Sequence, residues 1–596
     1  MRQQLKETLI PSFLEETSNI EKKEIENSLI NVFLEQKPIN EIVQKSLSSL
    51  NISLDIETIT YIFEALLDDN EINENGIVFT PQYIASYICD GIFGDAFEWN
   101  DDIKIIDPGC GCGIFLVAAV IYINNKFGIP YDRIIKNNIY GIDLIQENVN
   151  RCKRVLKCLA NEKGFSLEIS DCNIVCADSL KEDWSDLFGI GEYSYIIGNP
   201  PYVNPHDMSK ETTLFLKKTF ETTKNGVFNI FYAFIERGMQ FLSSSGKLSF
   251  IVPNNFLTIK AATDLRSYIQ KNKYLVSILD FSDNMVFKPV RTYNCIIILD
   301  KNENKQFKYC VMSRCKAIEE SLKEIKFDTM SLNHLDKAGW NLVDHETYVN
   351  LNKIESQFRP IKDYIRTGIA TLRDEVYMVY FDGESYWKEA NGKRFIIEPD
   401  IVRTIYKIPE LKNCNNLKEV CRYIIFPYQK GKNGYVLIDE KTMIEKYPIT
   451  FEYLKEMKPE LDSRDKGKPN AVAWYAYGRT QGLSKFGKKL LFPTFADTPK
   501  FLIVNDDDAL FCNGYGVFEN DYLDLEELQP ILNSKIMKYY VSNTSYSIEG
   551  GYYCYQKKYI ERFSLPWFSE EEKKILKLGD KDRIDSLLEK KYGICI

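Results

Sequence analysis

Two rhythms of apolar and polar positions divide the chain. Between about residues 77 and 300, short apolar runs alternate with stretches of helical period: IKIID (103–107), NIYGID (138–143), NIVCAD (173–178), YSYIIGNP (193–200), KLSFIVP (247–253), LVSILDF (275–281) and NCIIILD (294–300). Runs that are apolar at nearly every position predict strands covered on both faces, and helices between them predict βαβ units in a mostly parallel sheet. Ahead of this region, Leu29, Val32 and Phe33, then Ile59, Ile62, Phe63 and Leu66, recur at helical spacing on a Glu/Lys-rich background. Beyond about 345 the rhythm turns irregular, with short strands, many aromatics and Gly/Lys/Asn turns, closing in a Lys/Glu helix near 570–591. The expected organisation is a helical N-terminal segment (1–75), a Rossmann-like α/β domain (76–345) and a mixed α+β domain (346–596).

Composition narrows the class. With 44% hydrophobic and 27% charged residues among 596, the chain is globular rather than intrinsically disordered. No run approaches the ~20 apolar residues of a membrane span. The start, MRQQLKETLIPSFLEE, lacks the apolar core of a signal peptide, so a cytoplasmic protein is expected. Fifteen cysteines without an export signal read as free thiols. The close pairs Cys110/Cys112 and Cys172/Cys176 lack a matching zinc-knuckle geometry, and three histidines offer no i, i+4 pair, so no metal is expected.

The chemistry concentrates at strand ends. The first strand runs into Asp107-Pro108-Gly109-Cys110-Gly111-Cys112-Gly113. Glycines at this spacing let the backbone turn sharply and approach a ligand closely. The loop is not the G-x-G-x-x-G of a dinucleotide site, and an acid beside it repels phosphate while suiting an ammonium group. The next strand ends in Asp143, an acid able to accept ribose hydroxyls, and the third in Asp178-Ser179, placed for an adenine amino group. Three such acids fit a neutral or cationic nucleoside ligand.

The fourth strand ends in Asn199-Pro200-Pro201-Tyr202. Two prolines fix φ and remove two N–H donors, leaving the Asn199 side chain and the Pro200 carbonyl as a rigid acceptor pair where α/β sheets hold ligands. Such a pair suits a planar amine, and Tyr202 offers a face on which a base can stack. Hydrogen bonds drawing the amine toward a tetrahedral nitrogen would let its lone pair attack a sulfonium methyl group in line, with positioning supplying most of the catalysis.

Order and spacing of these motifs resemble the S-adenosylmethionine-dependent N6-adenine DNA methyltransferases of the gamma, Taq-type arrangement found in restriction–modification systems. That resemblance covers roughly 77–300. It implies that Val78-Phe79-Thr80-Pro81 is the short motif before the first strand, with Thr80 and Pro81 at the cofactor's methionine end. It implies further that Asp107, Gly109, Gly111 and Gly113 hold the methionine portion, Asp143 the ribose with Leu144 beside the adenine, and Asp178 and Ser179 the adenine amino group. Asn199, Pro200 and Tyr202 become the catalytic motif, and Phe287 the aromatic set against a flipped base, with Phe281 and Tyr293 as neighbours. The acceptor base would have to leave the duplex, at a cost of a few kcal/mol.

The net charge of −10 speaks against indiscriminate nucleic-acid binding. Its distribution answers the objection: residues 421–500 carry 15 Lys+Arg against 9 Asp+Glu. There Arg464, Lys466, Lys468, Arg479 and Lys485, with Trp474 and Tyr475, are the expected DNA contacts, on a stretch (WYAYGR, 474–479, then KLLFPTF) similar to the family's specificity domain. The expected partner is duplex DNA carrying a short target, met by a monomer, with a cognate restriction endonuclease left open. Methyl acceptors in RNA or on a protein glutamine, and a nuclease in the same chain, are the alternatives. The 250 or so residues after 345 favour DNA, and no E-x-K set stands near an acid pair as a metal nuclease would require.

Overall fold

A computed structural model of the chain describes residues 80–596, apart from 95–96, 288–291, 314, 316, 337–338, 414–416, 432–433, 480, 484–485 and 549–550. Of the first 79 residues it describes 26, 27, 29, 30, 59, 60 and 63. The expected helical segment 1–75 and the Val78-Phe79 half of the short motif therefore fall largely outside the described residues. The chain divides into two compact units, Met1–Asp344 and His345–Ile596.

The first unit is built on a nine-stranded sheet: β1 (Ile105–Asp107), β2 (Ile139–Asp143), β3 (Asn173–Cys176), β4 (Tyr193–Gly198), β5 (Leu242–Pro253), β6 (Leu275–Asp280), β7 (Asn294–Asp300), β8 (Gln306–Val311) and β9 (Asp328–Ser331). Its order is β3-β2-β1-β4-β5-β7-β6-β8-β9. Neighbours from β3 through to β5 run parallel, and β7 is antiparallel to both β5 and β6. All seven runs seen in the sequence are strands. β8 and β9 are additional; β8 alternates exposed and buried positions instead of forming an apolar run, so periodicity marks it only weakly.

Consecutive strand residues feed opposite faces. Ile105, Ile197, Leu279 and Ile296 join one core, while Ile106, Ile196, Ile278 and Ile297 join the other. That split is why these strands read as unbroken apolar runs. The first core is completed by α1 (Gln82–Phe93), α2 (Ile114–Phe127) and α3 (Gln146–Glu162), and the second by α4 (Phe231–Phe241). Strand order reverses between β1 and β4, which sets a crevice at the carboxyl ends of those two strands.

Leu29, Ile30, Ile59 and Phe63 are buried in the first core as well. Beside them Glu26 forms a buried ion pair with Arg151 of α3, with Nε and Nη2 donating to Oε1 at 2.9 and 2.6 Å. Arg151 also reaches Asn148 Oδ1 at 3.5 Å, and Asn148 in turn donates to Asp143.

The second unit contains a six-stranded mixed sheet (Met378–Phe381, Tyr386–Ala390, Lys393–Ile397, Val402–Lys407, Cys421–Ile425, Leu510–Cys512) and a four-stranded antiparallel one (Ile365–Thr367, Lys489–Phe492, Leu502–Val504, Tyr515–Phe518). The single closing helix expected near 570–591 is two, Glu570–Lys577 and Lys581–Tyr592. Gly579 turns left-handed (φ 69°), and the Asp580 side chain caps the second helix through the Arg583 amide.

Breaking the Glu26–Arg151 pair leaves a charge buried alone. Arg151→Met is expected to cost the first unit about 3–5 kcal/mol, read as a lower urea midpoint, with Glu26→Gln added to it recovering part of the loss.

Candidate active site

Asp107 ends β1 almost fully buried. Its Oδ1 accepts from the Gly109 amide at 3.0 Å, and its Oδ2 has no hydrogen-bond partner. Burial pushes the carboxyl up to about 8, and the negative field of Asp143 adds to the rise. An unmet carboxyl oxygen at a glycine turn suits a cationic amino group, which would restore its charge. Two glycines are obligatory around it. A Cβ at Gly198 (φ 154°), the last residue of β4, would lie 2.5 Å from Asp107 Oδ1. At Gly113 (φ 94°), which opens α2, a Cβ would lie 2.7 Å from Cys152 Sγ.

The loop is tied to β2 by Asp143. Its Oδ2 accepts from the Gly111 amide at 2.9 Å, and its Oδ1 from the Ile145 amide at 2.9 Å and Asn148 Nδ2 at 3.1 Å. A carboxylate has about four acceptor directions, so a hydroxyl can still approach Oδ2. Leu144 beside it is 65% exposed, an apolar surface at a strand end that an adenine ring would cover. Asp178 accepts from the Leu180 amide and faces Lys181 at 3.4 Å. Ser179 is buried and donates to the Pro108 carbonyl, so it braces the loop. The strand-end set thus fits an aminoacyl nucleoside: ammonium at Asp107, ribose at Asp143, base at Leu144 and Asp178.

The second cluster lies at the end of β4. Asn199 Nδ2 donates to Thr80 Oγ1 at 3.1 Å, just before Pro81 caps α1. Asn199 Oδ1 accepts from the Tyr202 hydroxyl at 2.6 Å. That hydroxyl is also 3.1 Å from the Ile251 carbonyl of β5 and 3.3 Å from Asn294 Nδ2 at the start of β7. Burial holds its pKa well above the ordinary tyrosine value. Pro200 is buried, and no group among the described residues donates to its carbonyl. Thr80, Asn199 and Tyr202, named from the sequence, come together here; sequence reasoning missed Asn294, whose signal is a polar residue opening an otherwise apolar strand. It also missed Asp280, whose Oδ1 holds Asn254 Nδ2 at 2.8 Å and whose burial raises it to about 6.

Phe287 is a correction. Its ring is 3% exposed and belongs to the first core with Phe281, Met312 and Leu322. It offers no open face to a base, because an apolar ring packed into a core is removed from water on all sides. Of the three aromatics around this stretch, Tyr293 keeps partial exposure.

These geometries accompany clear likenesses. A family model described as Eco57I restriction-modification methylase matches residues 137–287, from β2 to Phe287. That stretch, within the first unit, is similar to the methylases of this family. The chain is 24% identical over 585 residues to the type II restriction enzyme and methyltransferase RM.Eco57I of Escherichia coli, covering 85% of this chain and 58% of that protein. It is 25% identical over 532 residues to the type II methyltransferase M.BstVI of Geobacillus stearothermophilus, covering 83% and 90%. Its fold is shared with the type IIL restriction-modification enzyme MmeI, solved in complex with DNA: TM-score 0.63, 13% identity, 99% of this chain and 90% of that one. The strand-end set above, an unmet buried carboxyl at Asp107, the Asp143 carboxylate and the exposed Leu144, fits S-adenosylmethionine.

The basic stretch of the second unit needs a second correction. Arg464 is buried, and its guanidinium donates to the carbonyls of Leu461 (2.7 Å), Trp474 (2.7 Å) and Ala476 (2.8 Å). Tyr475 is buried with its hydroxyl on the Ile438 carbonyl. Neither can meet a phosphate: unpaired carbonyls inside a folded unit recruit the nearest strong donor. Lys489, in the same basic stretch, is buried on the carbonyls of Ala509 and Asp506. Lys468 is exposed, and Arg479 pairs with Asp465 at half-exposed positions. Both line a cavity of about 310 Å³ with Asn470 and Trp474. Lys485 and the Lys466 side chain lie outside the described residues.

Asp107 sets a pH dependence. In the cofactor-free protein its raised pKa, about 8, leaves it largely protonated at pH 7; an ammonium partner favours the ionised form. Binding should release a proton at neutral pH, so affinity rises with pH and levels off above about 8. Calorimetry in buffers of different ionisation enthalpy measures that proton directly. Asp107→Asn should abolish both the release and the pH dependence.

Proposed function

We propose that the chain is a site-specific, adenine-specific DNA methyltransferase that places a methyl group on N6 of an adenine flipped out of duplex DNA. The observation carrying this reading is the acceptor pair of Asn199 Oδ1 and the Pro200 carbonyl at the end of β4, adjoining a strand-end set fitted to S-adenosylmethionine. By their names, the two relatives are a type II restriction enzyme and methyltransferase and a type II methyltransferase, and the structural neighbour is a restriction–modification enzyme solved with DNA.

When bound, S-adenosylmethionine supplies an electrophilic sulfonium methyl group. Asp107, Asp143, Leu144 and Asp178 hold and orient it. Thr80 fixes the amide plane of Asn199 through Nδ2, so that Oδ1 and the Pro200 carbonyl each accept one N–H of the adenine amine. Both bonds would draw density onto N6 and favour a more tetrahedral nitrogen whose lone pair is free to act as the nucleophile. The bound group would supply a methyl transfer in which the N6–C bond forms as the S–C bond breaks, the amine's extra proton leaving to solvent. Tyr202 gives the base a stacking face. The proline pair keeps the acceptors rigid, so the interaction costs no reorganisation at the moment of transfer.

In the second unit, the surface of Lys468, Arg479, Trp474 and Asn470 is the proposed DNA-contacting patch, with Lys466 and Lys485 in the same stretch. The protein is proposed to act as a cytoplasmic monomer on DNA.

Asn199→Ala should lower methyl transfer from tritiated S-adenosylmethionine to DNA by about 10²–10³-fold, with cofactor affinity changed by no more than a few-fold. Parallel arms with RNA and with a cell-protein extract should stay unlabelled. Full transfer by the variant, or label in the RNA or protein arm instead of DNA, overturns the reading.

A further inference from the structure

We infer that the Tyr202 hydroxyl occupies the Asn199 acceptor until a target base displaces it, and that Asn294 is the positioning residue that lets the hydroxyl change partner. The inference rests on the reading of Asn199 as acceptor of the target amine.

Proton counting supports it. The Tyr202 oxygen stands 2.6 Å from Asn199 Oδ1, 3.1 Å from the Ile251 carbonyl and 3.3 Å from Asn294 Nδ2. A phenol has one proton to give and can accept on its oxygen. An amide nitrogen only donates, so Asn294 takes an acceptor direction of the phenol oxygen and leaves its proton to two rivals, Asn199 Oδ1 and the Ile251 carbonyl. The shorter contact goes to Asn199. In the base-free protein, therefore, the oxygen meant for the incoming amine is already in use.

The arrangement also contains the way out. Once an amine N–H takes Asn199 Oδ1, the phenol proton has a second acceptor within reach on β5, and the ring need not move. The amide of Asn199 cannot simply rotate away, because its Nδ2 is held by the buried Thr80 hydroxyl. Asn294 is rigid enough to serve as the pivot. It is fully buried, its backbone is in register with Pro253 of β5, and its carbonyl accepts from the Phe281 amide at 3.0 Å. Exchanging one neutral acceptor for another costs little, whereas an acceptor left bare or a base amine left unpaired in this pocket costs a full hydrogen bond. The hydroxyl thus keeps Asn199 oriented and satisfied when no base is present, and it yields without strain when one arrives.

A purely structural Asn294 would act through packing; a positioning one acts through the Tyr202 hydroxyl. A double-mutant cycle separates them. The wild type, Asn294→Ala, Tyr202→Phe and the double variant are compared in single-turnover transfer from tritiated S-adenosylmethionine to genome-amplified bacterial DNA, which carries no methyl marks and contains any short target. Asn294→Leu, apolar and close in shape, joins the set in case the alanine cavity impairs folding. Cofactor affinity and thermal midpoint are read for every variant.

Asn294→Ala and Asn294→Leu should each slow transfer about tenfold at unchanged cofactor affinity, and by less than about twofold when Tyr202 is already Phe. Equal slowing in both backgrounds, or no slowing in either, overturns the inference. A wild-type protein that labels no DNA overturns the acceptor reading itself, and the inference with it.

Discussion

A carboxyl group that is buried with one oxygen unmet is a debt the fold carries until a ligand arrives. Asp107 is in that position at the end of β1, and much of the first unit is arranged around it. Gly198 must lack a side chain so that β4 can pass beside the carboxyl, and the Gly109 amide partly satisfies it. Asp143 holds the loop through Gly111 and raises the Asp107 pKa further. Ser179, just beyond β3, braces the same loop. The reversal of strand order between β1 and β4 puts this carboxyl and the Asn199–Tyr202 motif on neighbouring strands, the crevice in which the proposed reaction would join methyl donor and acceptor.

The two halves of the crevice use polar groups differently. On the cofactor side, acids are held by backbone amides and wait for a cation and hydroxyls. At Asn199, neutral groups are joined in a closed chain running from Thr80 through Asn199 and Tyr202 to Asn294. Neutral partners can be exchanged cheaply, which suits a site that must admit and release a base many times; charged partners suit the group that has to be gripped.

Much of this was legible in the sequence because backbone constraints leave a local signature. Unbroken apolar runs marked the first seven strands, and glycines and prolines at strand ends marked both the loop after β1 and the motif after β4. What was illegible depended on distant packing. Phe287 could not be distinguished from a base-facing aromatic without knowing that its segment folds against Phe281 and Met312. Arg464 and Tyr475 sit in a basic, aromatic stretch that looks like a binding surface, yet both are consumed by carbonyls of their own unit. Asn294 and Asp280 acquire meaning only when β5, β6 and β7 are side by side. Whole-chain acidity misled for a related reason, since charge acts locally and the surface positions Lys468 and Arg479 lie in a basic stretch.

The central claim is chemical: a methyl group goes to the exocyclic amine of adenine. Nucleoside mass spectrometry of unmethylated DNA incubated with the purified protein and S-adenosylmethionine tests it most directly. The account predicts N6-methyladenine, at a level that saturates at the number of target sites, and no methylated cytosine. Methylated cytosine in its place, or no methylated nucleoside despite bound cofactor, would contradict it.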